Sequence, residues 1–239
     1  MTPPTSFILP SSVNTRDELP ATSNPLLIVS KTPIELVTFV INYARRASLD
    51  DHLVLITTEN KAAFTSSLIS SIFSSSSSSL TSASSIFASD NVTIYHVDTL
   101  AHIRVLLSSL QHSQVKLLAI DNFVSLHEHA AELTAQGISR TLAAAINIIS
   151  CSRGILVLRE PQHVVDQSVP VLNSGISASL SSSTVPVNRI LGRWIRAFWL
   201  QGDNSEGDCF AEYRCQGKRW RVTWTLQEGQ VNDIQILPR

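Results

Sequence analysis

The chain of 239 residues predicts an α/β fold on a mainly parallel sheet, and three observations carry that prediction. First, short apolar runs alternate with stretches of helical periodicity, the pattern of successive βαβ units. Second, two of the runs lead into a carboxylate. Leu53-Val54-Leu55-Ile56-Thr57-Thr58 precedes Glu59, and Lys116-Leu117-Leu118-Ala119-Ile120 ends on Asp121. In a parallel sheet that places acids at the carboxyl edge, where ligands of open α/β sheets bind. Third, the last quarter changes character: residues 209–215 and 218–226 flank Gln216-Gly217 and read as an antiparallel hairpin.

Taken in order, the expected strands are residues 26–30, 53–58, 92–97, 117–121, 155–159 and 195–201. Helices are expected at 33–47, 61–73, 100–110 and about 132–149. In the last of these, Leu133, Ile138, Leu142, Ala145, Ile146 and Ile149 recur at near-helical spacing, one stripe turned to the sheet. Residues 1–24, rich in Pro, Ser and Thr, read as a flexible arm, and 25–239 as the core domain. Two stretches interrupt the order. The serine-rich 74–89 is too poor in apolar anchors to pack and reads as an insertion. Residues 160–188 form a long, weakly patterned loop with Pro170, Gly175 and Pro186. Across the 208–226 hairpin, a two-residue turn sets Tyr213 opposite Trp220 and Ala211 opposite Val222, on the apolar face with Trp224. On the other face Glu212 meets Arg221 and Arg214 meets Arg219, two like charges that repel without a counter-charge.

Composition narrows the function classes. Hydrophobic residues are 44% of the chain and charged ones 15%, so much of the polar surface is uncharged. A formal net charge of −1 gives no global attraction to nucleic acid or anionic membrane; such binding needs a local patch. Three cysteines, Cys151, Cys209 and Cys215, are an odd number without a CxxC pair, which argues against a disulfide framework or a thiolate zinc site. No secretory signal or membrane-spanning run is visible, so a reduced intracellular protein is expected.

The decisive absence is glycine. The first one is Gly137, and a phosphate loop needs glycines so that successive N–H groups can turn inward on the phosphates. Ser30-Lys31-Thr32 sits where the end of such a loop would, with Lys31 on a phosphate and Thr32 on magnesium. The alternative is a helix start: Thr32 as N-cap, Pro33 first, Glu35 third, a capping box. The second is preferred, because Glu35 then occupies the positive end of the helix that a phosphate would need. ATP and magnesium are therefore not expected, and Asp121 is expected to be structural. His127-Glu128-His129, with Asp121 and Glu132 near in sequence, suggests a metal site only weakly. The two histidines are two residues apart and diverge on a helix, so a solvated loop or first helical turn is preferred and no metal is expected.

The order of these pieces resembles the core of the eukaryotic RecA-type recombinase paralogues. Asn91-Val92-Thr93-Ile94-Tyr95-His96-Val97-Asp98-Thr99-Leu100 leads through a helix into Val115–Phe123. A long helix, the strand Gly154-Ile155-Leu156-Val157-Leu158 and a long loop follow. Leu191-Gly192-Arg193-Trp194 then resembles that family's LGRxW segment before a strand, and the closing hairpin its terminal strands. The resemblance covers roughly residues 25–236 and implies a RecA-like, P-loop-NTPase-type fold. It places the family's catalytic carboxylate at Glu59 and its Walker B aspartate at Asp121, with Lys31 and Thr32 as vestiges of a Walker A loop that has no counterpart. Its two DNA-facing loops correspond to 127–139 and 160–188; the second has no Lys or Arg between Glu160 and Asn188.

What this implies is a non-catalytic accessory subunit of Shu type. It would be nuclear, assembled with other recombinase paralogues or Shu-type partners, and would support homologous recombination repair without a membrane. Arg189, Arg193, Arg196, Arg214, Lys218, Arg219 and Arg221, with Trp194 and Trp220 between them, suit single-stranded or recombination-intermediate DNA. Equally, the tryptophans suit the core and the arginines a solvated face paired with Glu206, Asp208 and Glu212. Two other function classes stay open: an ATPase completing its site in trans with Glu59 and Asp121, and an unrelated metal-dependent α/β enzyme using Asp121, His127 and His129.

Overall fold

The computed structural model describes residues 24–48, 50–66, 91–111, 113–128, 130, 132–172, 183–202, 208–227 and 230–239. The arm up to residue 23, the Ser-rich 74–89 insertion, His129, Glu206 and the middle of the second long loop lie outside the described residues.

Every expected strand forms. The chain gives β1 (Leu26–Val29), β2 (His52–Thr57), β3 (Val92–His96), β4 (Val115–Asp121) and β5 (Ile155–Glu160). Two short strands follow, β6 (Ser168–Pro170) and β7 (Thr184–Pro186), then β8 (Ala197–Gln201), β9 (Asp208–Cys215), β10 (Lys218–Gln227) and β11 (Gln230–Pro238). Nine of them build one sheet in the order β11-β10-β9-β8-β1-β5-β4-β2-β3. The pairs from β8 to β3 are parallel, and those from β8 outward to β11 antiparallel. Among the described residues this is an α/β fold with a mostly parallel sheet, flanking helices and an antiparallel C-terminal wing.

The central strands are apolar on both faces because helices cover both faces. One face packs under α1 (Ile34–Ala44), whose Leu36, Val37, Phe39 and Val40 meet Leu26, Ile28, Leu53 and Leu55. The other packs under α2 (Leu100–Leu110) and, two helices later, α4 (Ala135–Ser152). Between these two lies α3 (Ser125–Glu128), and α5 (Gln162–Asp166) and α6 (Val187–Leu191) complete that layer. In α4 the buried stripe includes Ile138, Leu142, Ala145 and Ile149, as its spacing predicts, together with Ile148.

Three expectations are corrected. The long helix begins at Ala135 rather than near 132, because the Thr134 side chain caps it by accepting the Gly137 N–H. Glu132 instead forms a two-pronged ion pair with Arg104 on α2, at 3.0 and 2.6 Å. The 160–188 stretch is not a plain loop: α5, the antiparallel β6–β7 pair and α6 occupy its described parts. Finally, the C-terminal unit is three-stranded, since β11 pairs with β10. The hairpin register itself is as expected, Tyr213 opposite Trp220, Ala211 opposite Val222 and Arg214 opposite Arg219. Ala211, Tyr213, Trp220 and Val222 are buried in the α1-side core.

Candidate functional site at the carboxyl edge of the sheet

Three adjacent strands, β4, β5 and β1, deliver the expected site residues to one edge. Ser30 follows β1, Asp121 ends β4, and Arg159 and Glu160 end β5 between them. The register sets Arg159 directly beside Asp121 on one side and Ile28 on the other. Its side chain lies across the carboxyl edge between Ser30 and Asp121. One guanidinium nitrogen donates to Asp121 Oδ1 at 3.1 Å and to Asn122 Oδ1 at 2.9 Å. The other terminal nitrogen donates to the Ser30 carbonyl at 2.8 Å, and Nε to the Ser30 hydroxyl at 3.4 Å. Arg159 is 3% exposed and Asp121 1%. Arg159 therefore has an acceptor on every side from which an anion would approach.

The remaining donors are spent locally. The Ser30 N–H bonds the Glu160 carbonyl at 3.1 Å and so continues the sheet. The Ser30 hydroxyl donates to the Thr32 carbonyl at 2.8 Å. The expected capping box does not form. Helix α1 is preceded by Pro33 in helical conformation without a side-chain cap, and the Thr32 hydroxyl donates to the Glu35 carboxylate at 3.4 Å. The Glu35 carboxyl turns back on its own N–H and on Ser30 instead. Burial raises the Glu35 carboxyl, opposed by its own N–H, the Ser30 hydroxyl and Arg159. An acid thus stands at the helix end that would have to receive a phosphate. Lys31 and Thr32 are exposed.

Asp121 is tied into the edge rather than presented to solvent. Its Oδ2 accepts from Thr57 at 3.5 Å and from the Asn122 amide at 3.4 Å. Burial pushes its carboxyl up to about 6 against the pull of Arg159, with Glu59 raising it further. Asn122 holds a left-handed φ of 51°, a conformation asparagine tolerates, and bridges Arg159 to the Thr58 hydroxyl. Glu59 lies at the half-buried rim, its N–H on the Thr57 hydroxyl at 3.1 Å.

His127 stands in a helical turn, one of the two settings expected for it, but buried rather than solvated. It is fully buried in α3, with Nδ1 against the Phe123 carbonyl and Nε2 against the Thr141 hydroxyl, each at 3.1 Å. Both ring nitrogens are used by the protein, and burial lowers the imidazole's pKa, which keeps it neutral. Among the described residues no group of three or more His, Cys, Asp or Glu is placed to hold a metal.

A magnesium nucleotide does not fit these residues: glycines are missing, the anion position holds a guanidinium, and the helix end holds a carboxyl. The sequence reading missed Arg159. Its signal was legible, since Arg159-Glu160 closes an otherwise apolar central strand, where charges are rare unless paired.

The C-terminal candidates lie on the strands beyond β1. Strand β8 runs parallel to β1, so Arg196 sits at its start, Arg214 is level with Leu27 through Phe198, and Glu212 and Arg221 are level with Val29 through Leu200. Lys218 and Arg219 follow the turn, and the Arg239 N–H reaches the Arg219 carbonyl at 2.9 Å. Arg214 and Arg219 flank Glu212, at 2.8 and 4.0 Å. These arginines and Arg239 hold its carboxyl below the ordinary range. Arg221 stacks over Phe210, 4.7 Å from the ring centre. Arg189 and Arg193, on α6 and the turn after it, are exposed. Trp220 is buried against Tyr213 and Trp194 half-buried against the α4-side core, so the aromatic rings among the arginines are Phe198 and Phe210 instead.

No helix among the described residues is long and apolar enough to cross a membrane. No curated protein matches the chain. A family model described as SPAC22G7.03-like matches residues 23–238, a span that takes in the whole sheet and both helical layers. The chain belongs to the SPAC22G7.03-like family.

Proposed function

We propose that this chain is a non-catalytic, RecA-like recombinase-paralogue subunit, a nuclear protein supporting homologous recombination repair by assembling with other paralogues or Shu-type partners. One observation supports the non-catalytic part: Arg159 is bonded to Ser30, Asp121 and Asn122, at the edge where, on this reading, the phosphates would lie. A scaffold that keeps its strands while filling its own ligand site acts through its surface. The reading is further supported by the order of elements on which the resemblance rests. An Asp-tipped parallel strand, a long helix, a further parallel strand, the Leu191–Trp194 segment and antiparallel closing strands follow one another as that resemblance requires. DNA contact belongs to the same proposal and is assigned to the arginine face of β9 and β10.

Co-expression with recombinase paralogues tests it: a stoichiometric heteromer surviving size exclusion is the expected result. A monomer in every pairing would overturn it. On the purified complex, radiolabelled ATP retained on filters should stay at background in the wild type and in Asp121→Asn. Retention that disappears in Asp121→Asn would instead establish a site completed in trans.

A further inference from the structure

Glu160 takes no side-chain part in the Arg159 network. It ends β5 fully buried, and its two carboxyl oxygens are unequal: Oε1 accepts the Val124 N–H at 2.7 Å, while Oε2 has no hydrogen-bond partner. Val124 is the point from which the following chain hangs. Its carbonyl accepts the His127 N–H at 2.9 Å, and the His127 carbonyl accepts the Glu132 N–H at 3.2 Å. One side chain therefore ties the end of β5 to α3 and to the stretch that leads into α4.

The charged groups turned toward Glu160 are Asp121 from β4, Glu128 from α3 and Arg159 from β5 itself. Arg159 is already paired with Asp121, so no cation is left for a second carboxylate. We propose that Glu160 is a proton-operated clasp: protonated, it holds residues 122–124 and α3 against β5, and ionised, it lets them go. The neutral acid forgoes one hydrogen bond through Oε2. The ionised acid is a buried charge without a counter-ion, a far larger penalty, relieved only when water reaches it. Burial first, with Asp121 adding and Val124 and Arg159 opposing, pushes this carboxyl up to about 8. The clasp is strongest in mild acid, weakens as pH rises and is fully released once pH passes about 8.

Amide hydrogen exchange on the full chain, corrected for intrinsic base catalysis, reads the clasp directly. In the wild type, protection at Val124 and along α3 should fall by up to about tenfold per pH step between 4.5 and about 8, as release of one proton requires, and level off above that. Glu160→Gln keeps an acceptor for Val124 and cannot ionise, so its protection should stay flat. Asp121→Asn removes an anion that raises Glu160 and frees Arg159, so the levelling-off should move to lower pH. A wild type flat to about pH 9.5, or a Glu160→Gln profile following the wild type, would overturn the proposal. Carbon-13 titration of the wild-type carboxyl decides it independently of any variant: a midpoint near the ordinary 4.5 would sink it.

Discussion

Asp121 and Glu160 are both acids that burial raises, and this fixes the sign of a pH effect on stability. A carboxyl whose folded pKa exceeds its unfolded one binds its proton more tightly in the native state. Its stabilising contribution is complete below the unfolded pKa and is lost as pH rises through the folded one. For Asp121 the window runs from 3.8 to about 6, and for Glu160 from 4.5 to about 8. For Glu160 the gap, at about 1.4 kcal/mol per pH step, sets an upper limit on the order of 5 kcal/mol. Unfolding by urea should therefore show greater stability near pH 5 than near pH 8.5, against the usual trend for carboxylates held by cations. Glu160→Gln should remove most of that slope, and Asp121→Asn the part below about pH 6. Asp121→Asn should also cost about 3 kcal/mol at pH 7, because Arg159 stays charged and loses its buried anion. A slope of the ordinary sign in the wild type would mean that these carboxyls ionise freely.

Among the elements, α4 decides where Arg159 arrives, and its end is unusual. Arg153 adopts a left-handed conformation, φ 53° and ψ 36°, with the Gly154 N–H on the Ile149 carbonyl and the Arg153 N–H on that of Ser150. This is a Schellman end with arginine where glycine is usual and glycine one place later. Gly154 is required there, since a Cβ would stand 2.5 Å from the Val115 carbonyl oxygen and 2.8 Å from that of Lys116. Arg153→Gly should thus raise stability by about 0.5–1 kcal/mol, and Gly154→Ala should lower it by more than that. Equal and opposite behaviour in thermal melts would contradict the assignment. The same helix shows what could be read from sequence. Apolar spacing located α2 to the residue and the core stripe of α4, because burial of a face is a local, periodic signal. Turn chemistry located the hairpin register, because Gln216 and Gly217 both take positive φ, as a tight two-residue turn demands. The strand β11 escaped because its partner lies on one side only, leaving no doubly apolar run. Arg159 escaped because its role exists only once β4, β5 and β1 lie side by side, and a long-range register is not written in any window of sequence.

Across the molecule, the two candidate regions stand on different strands of one sheet, β4, β5 and β1 for the first and the antiparallel wing for the second. The carboxyl edge is closed by Arg159, while the wing carries Arg196, Arg214, Lys218, Arg219 and Arg239 around the single described carboxylate of that cluster, Glu212. Like-charged Arg214 and Arg219 face each other directly across the hairpin, an arrangement tolerated because Glu212 bridges them. It leaves more cation than anion on an exposed surface. On the proposed reading, a labelled oligothymidylate should bind the purified complex in fluorescence anisotropy, with affinity falling as salt rises. Arg214→Glu with Arg219→Glu should weaken binding at least tenfold and flatten the log–log salt slope by roughly 1.4, about 0.7 for each lost phosphate contact on a single strand. Glu212→Gln should tighten it, since it frees both arginines. Neither change touches a residue bonded to Arg159 or Glu160, so the Glu160 exchange profile should be unaffected. Affinity and salt slope unchanged in the double variant would assign these arginines to a solvated face held by Glu212. The clasp would stand untouched by that outcome, because it rests on Glu160, Val124 and α3 alone.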